Sequence, residues 1–391
     1  MASSKNEPIM NPVEDSPGVS LKPSSQSQPV KSSSSTVIGL SKKARQHLRA
    51  RRYDEAKQLF SSGLEQEPEN PYLLSGMGDA CRETADYLEA ERCYLALLEV
   101  EADNLFALRG LGDVYKKQER HREALPLWEK YLTLRPRDKH VMTRMAESLK
   151  ALQQYGQAEE FYQNILRLAA HDRFALTGLA DLKHRLGQDA EAIKIYEEAL
   201  NLDENELHIL TILGKLCWRV NDFDRAEAYF RRALSLDPTN TYALYGLGNC
   251  FRWSRDYEKA IAVWQQILVH SDGTQALHTR MGDAFYNLGQ LDDAELSYQR
   301  ALAFGEDVFS TVGLVCLYAE RQQWGQAIDT SALLLRTGED PLKQLEWLKK
   351  RFLRADQKQL MQELLHRLLA APADWERAVK DAIQIQLDRL S

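Results

Sequence analysis

Alanine recurs every thirty-four residues, at Ala56, Ala90, Ala124, Ala158, Ala192, Ala226, Ala260 and Ala294. Four residues after each stands an aromatic: Phe60, Tyr94, Trp128, Tyr162, Tyr196, Phe230, Trp264 and Tyr298. A period held through eight turns without insertion or deletion belongs to a chain built from one stacked unit. Residues i and i+4 share one face of a helix, and a small residue there lets a second helix axis approach closely. The chain can therefore only be a series of helices that bury against their neighbours.

The rest of the period supplies the second helix. Twelve residues before each alanine is another small residue: Ala44, Gly78, Gly112, Ala146, Ala180, Gly214, Gly248 and Gly282. A large apolar residue precedes it from the second unit on, at Met77, Leu111, Met145, Leu179, Leu213, Leu247 and Met281. Three residues earlier come Leu40, Leu74, Leu108, Met142, Leu176, Leu210, Leu244 and, out of pattern, His278. Gly187, Asn221 and Gly289 fill one slot between the two helices, where turn chemistry is needed. Pro68, Pro136 and Pro238 fall between units, pushing the preceding residue away from helix.

At these positions the chain resembles the tetratricopeptide repeat family, whose pattern is W-x2-L-G-x2-Y, then A-x3-F, then P. The third unit reads Leu108, Leu111, Gly112, Tyr115, Ala124, Trp128, Pro136, and the sixth reads Leu210, Leu213, Gly214, Cys217, Ala226, Phe230, Pro238. Eight units run from Val37 to about Phe304, and a ninth, carrying Ala327, follows one residue short of register. The resemblance implies an all-α, right-handed superhelical solenoid of antiparallel helix pairs. Three regions follow: a Ser-rich tail without fold at 1–36, an array of about nine repeats at 37–339, and a helical cap at 340–391.

Composition narrows the function. The net charge of −7 argues against a general nucleic-acid binder, because phosphate contacts need a basic surface. Five cysteines, Cys81, Cys93, Cys217, Cys250 and Cys316, form no C-x-x-C pair and have no histidine at ligand spacing. They read as free buried thiols, which favours a reducing cytoplasm. No stretch is apolar for the ~18 residues a membrane helix needs, and residues 1–36 lack the apolar core of a signal peptide. No phosphate-cradling glycine loop, nucleophile elbow or H-E-x-x-H motif occurs, so the expectation is a chain with no catalytic residues, no cofactor and no metal. His140 and His208 read as solvated residues opening first helices, and His278 as a packing histidine.

Function then has to come from a surface. The resemblance implies that first helices line an inner groove, with positions 2, 5, 9, 12 and 13 of each unit pointing in, counted from Pro71, Leu105 and their equivalents. These five share one stripe, apart from the core stripe at 4, 7, 8 and 11. Position 9 is acidic at Asp79, Asp113, Glu147, Asp181 and Asp283, but is Lys215 and Asn249 in the sixth and seventh units. Positions 12 and 13 are mostly basic: Arg82, Lys116, Lys117, Lys150, Arg185, Arg219 and Arg252. Acid and base at that spacing stabilise any exposed helix, and that structural role is the first reading of the Asp–Arg pairs. Trp218, Tyr242, Tyr245 and Trp253 concentrate in the sixth and seventh units, where flat apolar area has little structural excuse. The expected partner site is accordingly Trp218, Arg219, Tyr242, Tyr245, Asn249, Arg252 and Trp253, facing an extended protein segment with Asp, Glu or a free C-terminus.

Two family sub-types do not fit. The carboxylate clamp of chaperone-binding members would need Lys at position 5 where Tyr245 stands, although Asn249 and Arg280 match single elements of it. The asparagine ladder of glycosyltransferase members is replaced by Gly76, Gly110, Arg144, Gly178, Ile212, Gly246 and Arg280. The reading is a scaffold or adaptor that assembles protein complexes. Its alternatives are an RNA- or anionic-membrane-associated factor using the basic run Lys42, Lys43, Arg45, Arg49, Arg51 and Arg52, or a non-catalytic subunit of an enzyme complex. At the other end, Asp340-Pro341 signals a helix start. Leu345, Leu348 and Phe352, then Leu360, Leu364, Leu365 and Leu368, then Trp375, Val379, Ile383 and Leu390 form apolar stripes that seal the array or meet a second copy.

Overall fold

The computed structural model describes residues 35–337, 340–371 and 377–390. The tail expected at 1–36 lies, but for its last two residues, outside them, as does Trp375. The described residues are helical throughout, without a strand, and they fall into two compact units that meet in sequence at Pro136 and Arg137. The first holds three helix pairs: α1 (Ser35–Arg49) with α2 (Tyr53–Leu64), α3 (Pro71–Glu83) with α4 (Tyr87–Val100), and α5 (Leu105–Lys117) with α6 (His121–Leu134). The second begins with α7 (Lys139–Ala151), α8 (Tyr155–Leu168), α9 (Arg173–Arg185) and α10 (Asp189–Leu200). It continues with α11 (Leu207–Arg219), α12 (Phe223–Leu236), α13 (Thr241–Trp253), α14 (Tyr257–Leu268), α15 (Gln275–Asn287) and α16 (Leu291–Ala303). It ends with α17 (Val308–Glu320), α18 (Trp324–Thr337), α19 (Pro341–Arg354), α20 (Lys358–Ala370) and α21 (Arg377–Leu390). Within each unit every pair packs on the next.

The alanine–aromatic stripe explains the packing. All eight alanines are fully buried, and so are the aromatics four residues on. The aromatics fill space that small residues leave open on first helices, and three of them sit between two glycines. A Cβ on Gly214 would lie 2.7 Å from the Phe230 ring, and one on Gly246, in the next unit, would strike the same ring. Tyr94 sits likewise between Gly78 and Gly110, and Tyr298 between Gly282 and Gly313. One ring thus ties the two helices of its own pair to the first helix of the next.

Capping marks where first helices start. Asn70, Asn104, Asp138, Asp172, Asn240 and Asp307 each accept backbone N–H groups of the first turn through the side chain, satisfying donors a helix start leaves free. Between the two helices of a pair the backbone turns through the left-handed region at a fixed slot. Gly187 (φ 76°), Asn221 (φ 62°) and Gly289 (φ 73°) occupy it as expected. So do Arg51, Ala85, Glu119, Gln153, Arg255 and Gln322, which the sequence pattern did not flag. The repeat geometry imposes that conformation even on Ala85, where glycine's freedom is missing.

Departures from the repeat are accommodated locally. His278 is 4% exposed, stacks on Phe304 at 5.8 Å, and donates from Nε2 to the Asp272 carbonyl at 2.8 Å. All five cysteines are free and buried. Burial pushes Cys81 and Cys217 up to about 11 and Cys93, Cys250 and Cys316 up to about 12, so these thiols stay protonated at neutral pH. The C-terminal stripes are used within the chain: Leu345, Leu348, Phe352, Leu364, Leu365, Leu368, Val379, Ile383 and Leu390 join α17 and α18 in one core. Among the described residues no helix is long and apolar enough to cross a membrane.

The turn slot gives a clean test. A Cβ on Gly289 meets nothing within 4 Å, so only backbone conformation opposes it. Gly289→Ala is expected to lower the stability of the second unit by about 1–2 kcal/mol in urea denaturation, without changing its far-UV spectrum.

Candidate partner-binding face

The first helices of the second unit carry the expected site on α11 and α13. Their remaining exposed face is set by what the neighbouring core leaves over. At position 9 the acids have a defined duty. The Tyr94 hydroxyl donates to Asp79 at 2.7 Å, Tyr298 donates to Asp283 at 2.8 Å, and Tyr196 donates to Asp181. Each acid therefore receives the hydroxyl of the tyrosine that wedges its own pair, and burial first and the facing carboxylate second hold those phenols well above their ordinary range. Where the wedge is Phe230 there is no hydroxyl, and position 9 is Lys215. Where it is Trp264, the indole donates to the Tyr245 carbonyl at 3.4 Å, and position 9 is Asn249. The loss of acid at Lys215 thus accompanies a wedge that has no hydroxyl, whereas a tryptophan wedge leaves the position open, as Trp128 goes with Asp113 and Trp264 with Asn249.

Basic residues follow the same division. Arg82 pairs with Asp113 of the next unit at 3.3 Å, Lys150 lies 3.8 Å from Asp181, and Lys183 pairs with Glu159 at 2.9 Å and Glu191 at 3.2 Å. Arg82 also reaches Asp79 at 3.8 Å and Glu83 at 3.1 Å on its own helix, so these cations pair both along and between helices. Arg219, expected at the site, belongs to this class: it pairs with Asp189 at 3.2 Å, a carboxylate that His184 also contacts at 2.7 Å. By contrast Lys215, Arg252 and Arg280 make no ion pair among the described residues. Arg280 lies over the Tyr245 ring at 4.8 Å and donates to its hydroxyl. Burial draws that guanidinium below its ordinary value, with only Asp283 acting the other way.

The rings are unevenly exposed. Trp253 is 56% exposed and Tyr242 50%, whereas Trp218 and Tyr245 are half-buried. Phe223, the first residue of α12, joins the two indoles: its ring centroid is 6.3 Å from Trp218, edge-on, and 4.7 Å from Trp253, tilted by 30°. Sequence reasoning passed over Phe223. The signal was present, since the same slot holds Tyr53, Tyr87, Tyr155 and Tyr257 in other units. Three polar atoms of the expected site are buried without a hydrogen-bond partner: Trp218 Nε1, Asn249 Oδ1 and Arg252 Nε. Orphaned groups are costly, by about 1–3 kcal/mol each, and their gathering on one face is a reserve of bonding capacity. The face joins uncompensated cations, orphaned donors and an acceptor, and an exposed indole. Among the described residues no group of histidine, cysteine or carboxylate side chains could hold a metal ion.

The C-terminal helices change where this face ends. α19 packs on α17 and reaches α15 through the Arg351 side chain. Trp347 meets Phe309 at 6.1 Å, and Arg351 pairs with Asp283 at 3.0 Å, stacks on Tyr286 at 5.1 Å and donates to the Tyr298 hydroxyl at 3.1 Å. Gln357 then donates to Glu320 at 3.1 Å. The stretch expected to seal the array thus also covers first-helix residues of the eighth and ninth units.

Comparison with known proteins places this geometry. Tetratricopeptide repeat family models match residues 47–111, 175–239 and 213–276. No curated protein matches the chain. Among solved structures, a tetratricopeptide repeat protein from Parabacteroides merdae ATCC 43184 is 18% identical over 70% of this chain and 95% of that one, with a TM-score of 0.38. Pseudomonas aeruginosa pilF is 18% identical over 53% of this chain and 95% of its own, with a TM-score of 0.45. MamA from Desulfovibrio magneticus RS-1 is 18% identical over 45% of this chain and 99% of its own, with a TM-score of 0.43.

The link between wedge and position 9 is measurable. Phe230→Tyr alone is expected to destabilise the second unit by about 1–3 kcal/mol, because its hydroxyl meets Lys215 rather than an acceptor. Adding Lys215→Asp should restore at least half of that loss, and a double-mutant cycle with no coupling would refute the link.

Proposed function

Because the chain is a tetratricopeptide repeat protein, we propose that it is a non-catalytic scaffold that binds a partner's acidic segment on the first-helix face of its sixth and seventh repeats. The observation that carries this reading is the set of Lys215, Arg252 and Arg280, cations without carboxylate partners, beside the orphaned atoms of Trp218, Asn249 and Arg252. A carboxylate of the partner supplies what those groups lack, and charge-assisted bonds of this kind are about twice as strong as neutral ones. Trp253 and Tyr242 provide contact area, and tryptophan, tyrosine and arginine are the residues that dominate binding hot spots. Arg219 contributes less than its position suggested, because Asp189 already engages it.

A second contact has its own support. Residues 35–52 contain no Asp or Glu, and Lys42, Lys43, Arg49, Arg51 and Arg52 are exposed and make no ion pair among the described residues. This basic face of α1 suits an anionic partner held by charge. Its signature is a steep loss of binding between low and physiological salt, removed by neutralising Lys42, Arg49 and Arg52. Binding at the ring-bearing face should fall less with salt.

The principal test is capture of the native partner from its cell by the full chain, followed by affinity measurement with variants. Trp253→Ala and Arg252→Ala are each expected to weaken binding by at least about 2 kcal/mol with helicity unchanged. Unchanged affinity in the double variant Trp218→Ala/Trp253→Ala would sink the assignment of this face.

A further inference from the structure

The chain carries on itself an example of how this face takes an occupant. α19 and the turn that follows it touch four positions on two successive first helices. Arg351 meets Asp283 and Tyr286, positions 9 and 12 of the eighth unit, while Trp347 and Gln357 meet Phe309 and Glu320, positions 2 and 13 of the ninth. The equivalent positions two units earlier are Lys215 and Trp218 on α11, and Tyr242 and Trp253 on α13. These are residues of the proposed site: Tyr242 is 50% and Trp253 56% exposed, while Phe309 stays 64% exposed beside Trp347 and α19 covers chiefly Tyr286 and Asp283 through Arg351.

We propose that the partner segment is a helix seated across α11 and α13 as α19 is seated across α15 and α17. It lays an aromatic ring on Tyr242 and, four residues later, an Asp or Glu on Lys215. This rests on the function proposed above and narrows the ligand from any acidic segment, extended or not, to one helical signature. The charge is inverted relative to α19 for a stated reason. Asp283 accepts the Tyr298 hydroxyl and draws in Arg351, whereas the Phe230 wedge leaves Lys215 in that place, which draws in a carboxylate. The ring is retained, because Tyr242, like Phe309, presents an exposed aromatic at position 2. The spacing is fixed by the helix: Trp347 and Arg351 stand four residues apart, on one face and about 6 Å along the axis. At the far end, where Gln357 in the turn after α19 meets Glu320, the site has Trp253 backed by Phe223, so the segment should carry an apolar side chain just past its helix.

The test uses the full chain and labelled alanine-rich peptides of about 18 residues, long enough for a monomeric helix. The reference peptide carries Trp and Glu four residues apart, and binding is read by fluorescence anisotropy. It is expected to bind about tenfold more tightly than its Glu→Arg version, as charge complementarity at one close pair supplies. Lys215→Glu in the protein should reverse that preference, with the far-UV spectrum unchanged. A peptide of the same composition with a central proline, or with the two residues two apart, should lose binding. If the proline peptide binds as well as the helical one and Trp218→Ala still abolishes both, the helical signature is wrong while the acidic-segment site stands. If no peptide responds to Trp218→Ala or Arg252→Ala, both readings fall together. A preference for Glu over Arg that survives Lys215→Glu also overturns the proposal.

Discussion

An aromatic ring wedged between successive first helices organises this protein. Phe230 occupies space that a Cβ on Gly214 or on Gly246 would fill, and Tyr94 and Tyr298 stand in the same relation to their own pairs of glycines. The contact fixes how closely the two helices of a pair approach and where the next pair must lie. Interiors packed at crystal-like density do not absorb a methylene, so neither helix can shift its register without displacing the ring. That explains why the thirty-four-residue spacing runs through eight units unbroken, and why it slips by one only at the ninth. There the C-terminal helices, rather than another repeat, take over the burial of α17 and α18.

The wedge also decides the chemistry of the exposed face. A buried tyrosine needs an acceptor for its hydroxyl, and Asp79, Asp181 and Asp283 supply it from position 9. Each acid then attracts a cation, so Arg82 and Lys150 reach to Asp113 and Asp181 of the following units, and Arg351 reaches back to Asp283. Most of the face is thereby committed to holding the array together. A phenylalanine wedge removes the first step of this chain, and a tryptophan wedge leaves it open, since Trp128 goes with Asp113 but Trp264 with Asn249. Lys215 and Asn249 stand where no hydroxyl calls for an acid, and Arg252 and Arg280 are left without carboxylates. Specialisation of the face follows from a substitution in the core beneath it.

The sequence made the wedge legible because its signal is periodic and local. The same holds for the buried thiols and the packing role of His278. Its reading of the face was less complete. Acid at position 9 and base at 12 suggested pairs along one helix, but Arg82 reaches Asp113 of the next unit as well as Asp79 on its own helix, and Lys150 reaches Asp181 of the next unit. Arg219 looked free until Asp189, thirty residues earlier, was brought beside it. Phe223 was overlooked because it begins a second helix, whereas the reasoning followed first helices alone. Most hidden was α19. Its apolar stripe predicted burial, but nothing in the pattern around Trp347 and Arg351 said that they would lie on Phe309 and Asp283, because no period links the two segments.

The covered and uncovered parts of the face differ in the strength they require. α19 is tethered to α17 through the chain, so it meets its site at an effective concentration of about millimolar or more, and modest contacts hold it there. Much of its stability comes from Leu345, Leu348 and Phe352, which are buried in the core and would hold the helix even with a weaker surface contact. A separate partner has no such advantage and must overcome the full loss of translational and rotational freedom on binding. The face offered to it should therefore be richer in groups that give large, directional contact. The uncovered units are so equipped: Trp218, Phe223, Trp253, Tyr242 and Tyr245 gather within two repeats, with two arginines and a lysine that the rest of the fold does not engage in ion pairs. The concentration of rings in those units, which the wedge does not require, is what intermolecular binding requires.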